Sequence, residues 1–283
     1  MRIINNIFFQ HLISRVMGFF ANCRFFPATL AKHWFAHHYN VNLDEAEYNR
    51  LKDYPTFNAF FTRRLKDRVR PIYGDDNTFV SPVDGILSQW GDINDGNLIQ
   101  AKGIHYRLDA LLAGNTKWTD VFAQAKFATL YLSPRHYHRV HMPLNGKLES
   151  MAYVPGNLFS VNQKRAEKIP NLFTRNERMI SIFSTELGPM AVIMVGAVIV
   201  AGISTVWSGK LKARIKIDYR HYDDVTLKRG AELGYFELGS TVIVLIANSK
   251  LQWQAALKEN QEIKFGGMLL RLDEKESKIA PSA

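Results

Sequence analysis

Cysteine is nearly absent: Cys23 is the only one among 283 residues. An intramolecular disulfide is thereby excluded, as is a thiolate metal cluster, and a reducing compartment is compatible. Acidic residues are in deficit, 26 against 36 Lys and Arg, giving a formal net charge of +10. An excess of that size favours a polyanion, either nucleic acid or an anionic membrane surface, and composition does not choose between them. Internal repeats and low-complexity linkers are missing. An apolar fraction of 47% with 22% charged residues is that of an ordinary globular chain able to bury a sizeable core. Only residues 274–283, polar and aperiodic, read as disordered.

No cleavable signal peptide is expected, because His11, Arg15 and Asn22 interrupt the apolar N-terminal stretch and no small-residue cleavage site follows. The longest uncharged run, residues 188–209, is long enough to cross a bilayer. It is dense in β-branched residues and broken by Gly196 and Gly202, which instead predicts buried strands with a bend or bulge.

Wound at 100° per residue, positions 8–20 separate into two halves. Phe8, Phe9, Leu12, Ile13, Val16, Met17, Phe19 and Phe20 fall on one, and Gln10, His11, Ser14, Arg15 and Gly18 on the other. A second apolar stretch interleaves Phe25, Phe26, Leu30, Trp34 and Phe35 with Arg24, Lys32 and His33. Amphipathic helices usually pack on their own domain. Four Phe beside basic residues also suit the headgroup boundary of an anionic bilayer. Further on, Arg63, Arg64, Lys66, Arg68 and Arg70 form a basic run that reads as a solvated face or a phospholipid-facing rim.

After Pro71 the chain turns to short β-rich segments punctuated by Gly, Pro, Asn and Asp. Strands are predicted at 85–90, 127–132, 147–153, 179–183, 191–203, 210–218, 232–236, 241–246 and 262–270, with a helix over 108–113. The expected fold is α+β: a β-rich domain over residues 46–283 preceded by an amphipathic helical arm over residues 1–45.

Three islands carry chemistry. The first is Ser81-Pro-Val-Asp84-Gly85, where Asp before Gly is most often turn chemistry. The second, Leu132-Ser-Pro-Arg-His136-Tyr-His138-Arg-Val-His141-Met-Pro143, holds three imidazoles suited to proton transfer near neutral pH. A metal site there lacks a carboxylate or thiolate partner at ligand spacing, and Arg135 and Arg139 would repel a dication. The third is Leu238-Gly239-Ser240-Thr241, opening an apolar strand. On its own it reads as a glycine bend. Ser, His and Asp together also fit a hydrolase triad, but the Gly-x-Ser-x-Gly elbow is missing around Ser240. The side-chain-free Gly239 would let the Ser240 hydroxyl approach the preceding carbonyl, making its own peptide bond a target.

Read together, these islands resemble bacterial phosphatidylserine decarboxylase proenzymes. So do Phe57-Asn-Ala-Phe-Phe, Gln100-Ala-Lys-Gly, Ala110-Leu-Leu-Ala-Gly, Val154-Pro-Gly-Asn-Leu-Phe-Ser-Val-Asn and Pro170-Asn-Leu-Phe-Thr-Arg-Asn-Glu-Arg, so that the likeness spans most of residues 55–245. The chain departs from some members in lacking a long acidic tail, and in carrying His136 where some have an acidic residue, so no catalytic role is given to His136.

The resemblance implies self-cleavage between Gly239 and Ser240, with Asp84 orienting His141 and His141 taking the Ser240 proton. It implies a covalent pyruvoyl cofactor made from Ser240, no metal, and a Schiff base with phosphatidylserine that releases carbon dioxide to give phosphatidylethanolamine. His138 would then protonate the product carbanion. The implied partners are the lipid substrate and an anionic membrane surface, at the cytoplasmic side of the cell (inner) membrane, rather than nucleic acid. Chains 1–239 and 240–283 would remain a heterodimer, with a higher homo-oligomer left open. The alternatives are a Ser-His-Asp lipid hydrolase and a non-enzymatic anionic-lipid or nucleic-acid binder.

Overall fold

The computed structural model describes residues 7–24, 26–101, 103–197, 202–211, 213–237 and 240–272. The expectation for the C-terminal residues 274–283 falls outside these, as does everything expected of Gly239. The fold is α+β and rich in strand, as the sequence predicts.

Its centre is a nine-stranded sheet. The path runs Asp218–His221, Gly146–Val154, Arg178–Ser184, Met190–Val195, Ser240–Ile246, Lys126–Leu132, Gly85–Asp92 and Gln261–Ile263, and Thr226–Leu227 adds to Gly146–Val154. The named pairings are antiparallel. Both faces are covered, so central strands read as continuous apolar runs instead of alternating ones. In Ser240–Ile246 every residue is buried. Val242, Val244 and Ile246 join one hydrophobic cluster with Leu130, Met179 and Phe183, while Ile243 and Leu245 join a second with Phe127, Ile180 and Ile193. Each such side chain contributes about 1.5–3 kcal/mol of burial free energy, which makes this strand a main support of the sheet.

The uncharged run 188–209 supplies the central strand Met190–Val195, then the short strand Ile203–Thr205 of a second, four-stranded sheet. No helix among the described residues is long and apolar enough to cross a membrane. Three predicted strands are corrected. The strand expected over 191–203 ends at Val195, and Ile203 opens another in a different sheet. Residues 210–218 are not one strand: Gly209–Lys210 and Asp218–His221 are separate strands, and residues 213–217 belong to neither. Residues 262–270 split into Gln261–Ile263 and Met268–Leu272, because the chain turns at Gly266, whose φ is +83°.

Two helices precede the sheet domain, α1 (Ile7–Ala21) and α2 (Phe26–His38), followed by the short α3 (Phe57–Phe61). The amphipathicity of α1 is inverted relative to a helix packed on its own core. Gln10, Ser14, Gly18 and Ala21 are buried, whereas Leu12, Val16, Met17, Phe19 and Phe20 are exposed. The buried stripe is used for polar docking: Gln10 Oε1 accepts from the Leu158 amide at 2.7 Å, and a His11 ring nitrogen meets the Gly156 carbonyl at 3.1 Å. On α2, Leu30 and Trp34 are exposed while Phe35 packs against Phe57, Phe60 and Phe61.

Candidate active site

The three islands meet where one antiparallel ribbon passes between two sheets. In the large sheet Ser240 pairs with Leu132. In the four-stranded sheet Arg139–His141 pairs with Glu232–Phe236, and the Phe236 amide donates to the His138 carbonyl at 3.1 Å. Between these two contacts lie residues 133–137 on the one side, and Glu237 is the last described residue before Ser240 on the other. The histidine segment is thus held at one end to Ser240 and at the other to Phe236. The 133–136 turn is closed by the His136 amide on the Ser133 carbonyl and by the Ser133 amide on His136 Nδ1, both at 3.0 Å. Arg63 ties the same turn to α3, donating to the carbonyls of Arg135 and His136.

Asp84 is brought in by the preceding loop, because the His141 amide donates to the Pro82 carbonyl at 2.8 Å. At Gly85 a Cβ would come within 2.8 Å of the Tyr131 carbonyl oxygen, so only glycine lets this loop close onto the neighbouring strand. Asp84 is mostly buried and fully engaged. Arg70 donates to it from Nε at 2.9 Å and from Nη2 at 2.6 Å, and the Phe265 amide donates to Oδ1 at 2.9 Å.

The expected Asp84–His141 hydrogen bond is not formed. His141 Nδ1 meets the Gly230 carbonyl at 2.9 Å and Nε2 meets the Tyr137 hydroxyl at 2.9 Å. A carbonyl can only accept, so Nδ1 carries the proton and Nε2 accepts from Tyr137. A main-chain carbonyl therefore sets the tautomer that a triad would assign to a carboxylate. The Phe265 ring stacks on His141 with centroids 3.8 Å apart. Burial pushes His141 down to about 4, against the opposing pull of the Gly230 carbonyl, so the ring is neutral near pH 7.

His138 is completely buried, with the Phe61 ring 4.0 Å away. Burial, then the neighbouring Arg63 and His136, hold its pKa well below the usual imidazole range. Both its ring nitrogens and the Ser240 hydroxyl lack hydrogen-bond partners among the described residues. A buried polar atom left unpaired costs roughly 1–3 kcal/mol, and such debts cluster where a reacting group is to be received. No direct hydrogen bond joins Ser240 to an imidazole.

Sequence reasoning missed Arg70, Tyr137 and Phe265. Arg70 was visible only as part of a basic run, and the solvated or lipid-facing reading of that run is corrected at two positions: Arg63 is 4% exposed and the Arg70 side chain 6%. Tyr137 stood four positions before His141, a signal available in the quoted segment. Among the described residues no group of three or more His, Cys, Asp or Glu could hold a metal ion.

A family model described as phosphatidylserine decarboxylase matches residues 57–271. Three relatives named "Phosphatidylserine decarboxylase proenzyme" align over nearly the whole chain. The Vibrio parahaemolyticus (serotype O3:K6) protein is 47% identical over 91% of this chain and 93% of its own. The Pseudomonas aeruginosa (strain LESB58) protein is 47% identical over 92% of each chain. The Idiomarina loihiensis protein is 44% identical over 95% of this chain and 96% of its own. By the family model and these relatives the chain is, by class, a carboxy-lyase with a β-rich α+β fold. The chain belongs to the phosphatidylserine decarboxylase family.

Proposed function

We propose that the chain cleaves itself between Gly239 and Ser240, and that the resulting enzyme decarboxylates phosphatidylserine to phosphatidylethanolamine at a membrane surface. The observation that carries this reading is the state of Ser240. It is wholly buried, opens a core strand, and has an unpartnered hydroxyl across the ribbon from the histidine segment.

In self-cleavage the Ser240 oxygen attacks the Gly239 carbonyl and an ester replaces the amide. Loss of the α-proton and expulsion of the Gly239 carboxylate leave dehydroalanine at position 240, which water converts to a ketone and ammonia. His141, neutral near pH 7, is the assigned base for the serine proton. Tyr137 must release Nε2 or pass the proton along for that to occur. Asp84 acts on His141 through space and through Phe265. The products, 1–239 and 240–283, would stay together because Ser240–Ile246 lies between Met190–Val195 and Lys126–Leu132.

Position 240 suits a pyruvoyl group on physical grounds. A charged α-ammonium at a site with no solvent exposure would be costly to desolvate, whereas a neutral ketone is not. When present, a pyruvoyl ketone supplies an electrophilic carbonyl that draws off electron density as carbon dioxide leaves. His138, neutral and without partners, is the assigned acid that returns a proton to the product carbon. Burial and the Phe61 ring exclude water from it.

Membrane placement rests on α1, which turns polar residues to the body and Phe19 and Phe20 outward. The reading is of a peripheral protein at the cytoplasmic side of the cell (inner) membrane, attached through residues 1–45 to a decarboxylase domain over 46–283. Intact-mass measurement tests the chemistry: two chains are expected from the native protein and one from Ser240→Ala. Carbon dioxide release from carboxyl-labelled phosphatidylserine by an uncut chain would overturn it.

A further inference from the structure

We propose that residues 213–217, the loop between Gly209–Lys210 and Asp218–His221, form a second membrane-insertion element beside α1, with Ile215 as its apolar tip. The proposal rests on the reading of α1 as a membrane-facing helix.

Ile215 is 96% exposed and Ile217 40% exposed, with Arg214 and Lys216 as their neighbours in sequence. One exposed apolar side chain is ordinary on a soluble surface. The location of this one is what matters. A groove of about 830 Å³ is walled on one side by Arg15, Phe19 and Cys23 of the α1 segment and on the other by Lys210, Leu211 and Ala213. The loop and the helix therefore border the same opening.

A buried cluster fixes them to each other. Glu177 accepts from the Tyr153 hydroxyl at 2.7 Å and stands 3.9 Å from a ring nitrogen of His11 on α1. Asp218, where the loop ends, pairs with the same Tyr153 across the sheet. The loop is thus registered against α1 through one side-chain junction.

Charge selects the partner. Arg15 and Lys210 line the opening, and Arg214 and Lys216 flank Ile215 in sequence. The acidic groups nearby are buried or occupied: Glu177 lies in the cluster, Glu237 pairs with Lys210, and Asp218 pairs with Arg214 and Arg220. An apolar tip between basic side chains fits an anionic bilayer, with the cations at the headgroups and the isoleucine below them. Two elements inserted side by side would also fix the orientation of the protein, which a single helix lying flat leaves free to roll about its axis.

The test uses the full-length protein in a Cys23→Ser background. An environment-sensitive fluorophore is placed at Ile215→Cys, or at Glu186→Cys in the turn after Arg178–Ser184. That turn lies at the far end of the strand from the Tyr153–Met179 pairing near α1. On vesicles of phosphatidylcholine and phosphatidylglycerol, the label at 215 should shift to the blue and be quenched by a bilayer-embedded quencher, and the label at 186 should do neither. Ile215→Asp should weaken vesicle partitioning about tenfold or more, with cleavage into two chains unchanged as the folding control. A label at 215 that stays in water while the protein is vesicle-bound overturns this inference and leaves the α1 reading standing. Failure of the unlabelled wild-type protein to bind such vesicles overturns both.

Discussion

Asp84 and His141 are linked through Phe265. The Phe265 amide donates to the Asp84 carboxylate at 2.9 Å, and its ring lies on the His141 imidazole at 3.8 Å, nearly parallel at 16°. One residue therefore positions both members of the expected acid–base pair by two different means, a main-chain hydrogen bond and a side-chain stack. Phe265→Leu separates them. It keeps the amide on Asp84 and removes the flat ring, at about 1 kcal/mol in stability for a swap of similar volume. Self-cleavage should slow about tenfold, equivalent to roughly 1.4 kcal/mol in the barrier. Time-resolved gel or mass analysis of newly made protein reads this directly, and unchanged kinetics would show the stack to be packing alone.

Asp84 also has a structural duty that a triad picture omits. Its side chain is 10% exposed and that of Arg70 6%, and Arg70 Nη2 further bridges to Glu45 at 2.6 Å. Removing one partner of a buried pair strands the other, at about 3 kcal/mol or more. Asp84→Asn and Arg70→Met should each lower unfolding free energy by that order, and the double variant should cost less than their sum. Denaturant unfolding of all three, in a Ser240→Ala background so that every protein is a single chain, tests the coupling. Strict additivity would mean that the pair contributes nothing as a pair. Arg70→Met leaves the carboxylate in place, so its cleavage rate separates anchoring from chemistry.

The burial of His141 has a consequence for stability against pH. Its pKa lies at about 4 in the fold, against about 6.5 in an unfolded chain. Between those values the unfolded state binds more protons, so stability rises with pH there. The contribution is fully present above pH 6.5 and is lost as pH falls through the folded value. Going from pH 7 to pH 5 should cost about 2 kcal/mol from this residue. His138, displaced in the same direction by burial and by Arg63 and His136, adds to the trend. Guanidinium unfolding at the two pH values, for wild type and His141→Gln, should show a smaller pH difference in the variant; equal differences would contradict the burial argument.

The sequence conveyed the elements with strong local signals. The strand 241–246 and the helix at 108–113 were legible because β-branched runs and turn residues act over a few positions. The same approach joined 210–218 and 262–270 into single strands. It could not register that an exposed Ile215 and Ile217 have no strand neighbour, or that Gly266 turns the chain at positive φ. The wheel of α1 was legible too. Which half meets the body was not, since the answer lies in the Leu158 amide and Gly156 carbonyl, about 145 residues away. For the site, residue types were readable but pairings were not. Arg70 reaches Asp84 across 14 positions and Phe265 across 181, and no local pattern encodes contacts of that range.

Lys210 and Glu237 give the last test, because Glu237 lies close in sequence to the bond proposed to be cleaved. Glu237 is the final described residue before Ser240, its side chain is 6% exposed, and its carboxylate meets the Lys210 ammonium at 2.5 Å. Its amide is held by the Gly202 carbonyl at 3.0 Å. Gly202 lies against the pair, 2.9 Å from Lys210 Cε if a Cβ is built on it, a contact that the flexible lysine end could relieve. Without the ammonium, a buried carboxylate would stand uncompensated, close in sequence to the bond proposed to be cleaved. Lys210→Met should therefore slow cleavage about tenfold, the scale of about 1.4 kcal/mol in the barrier. Lys210→Arg should keep most of the rate. Exchanging the charges, Lys210→Glu with Glu237→Lys, should recover much of what each single change loses, an outcome that simple loss of packing would not produce. If the single variants mature as fast as wild type, the pair has no part in positioning this segment.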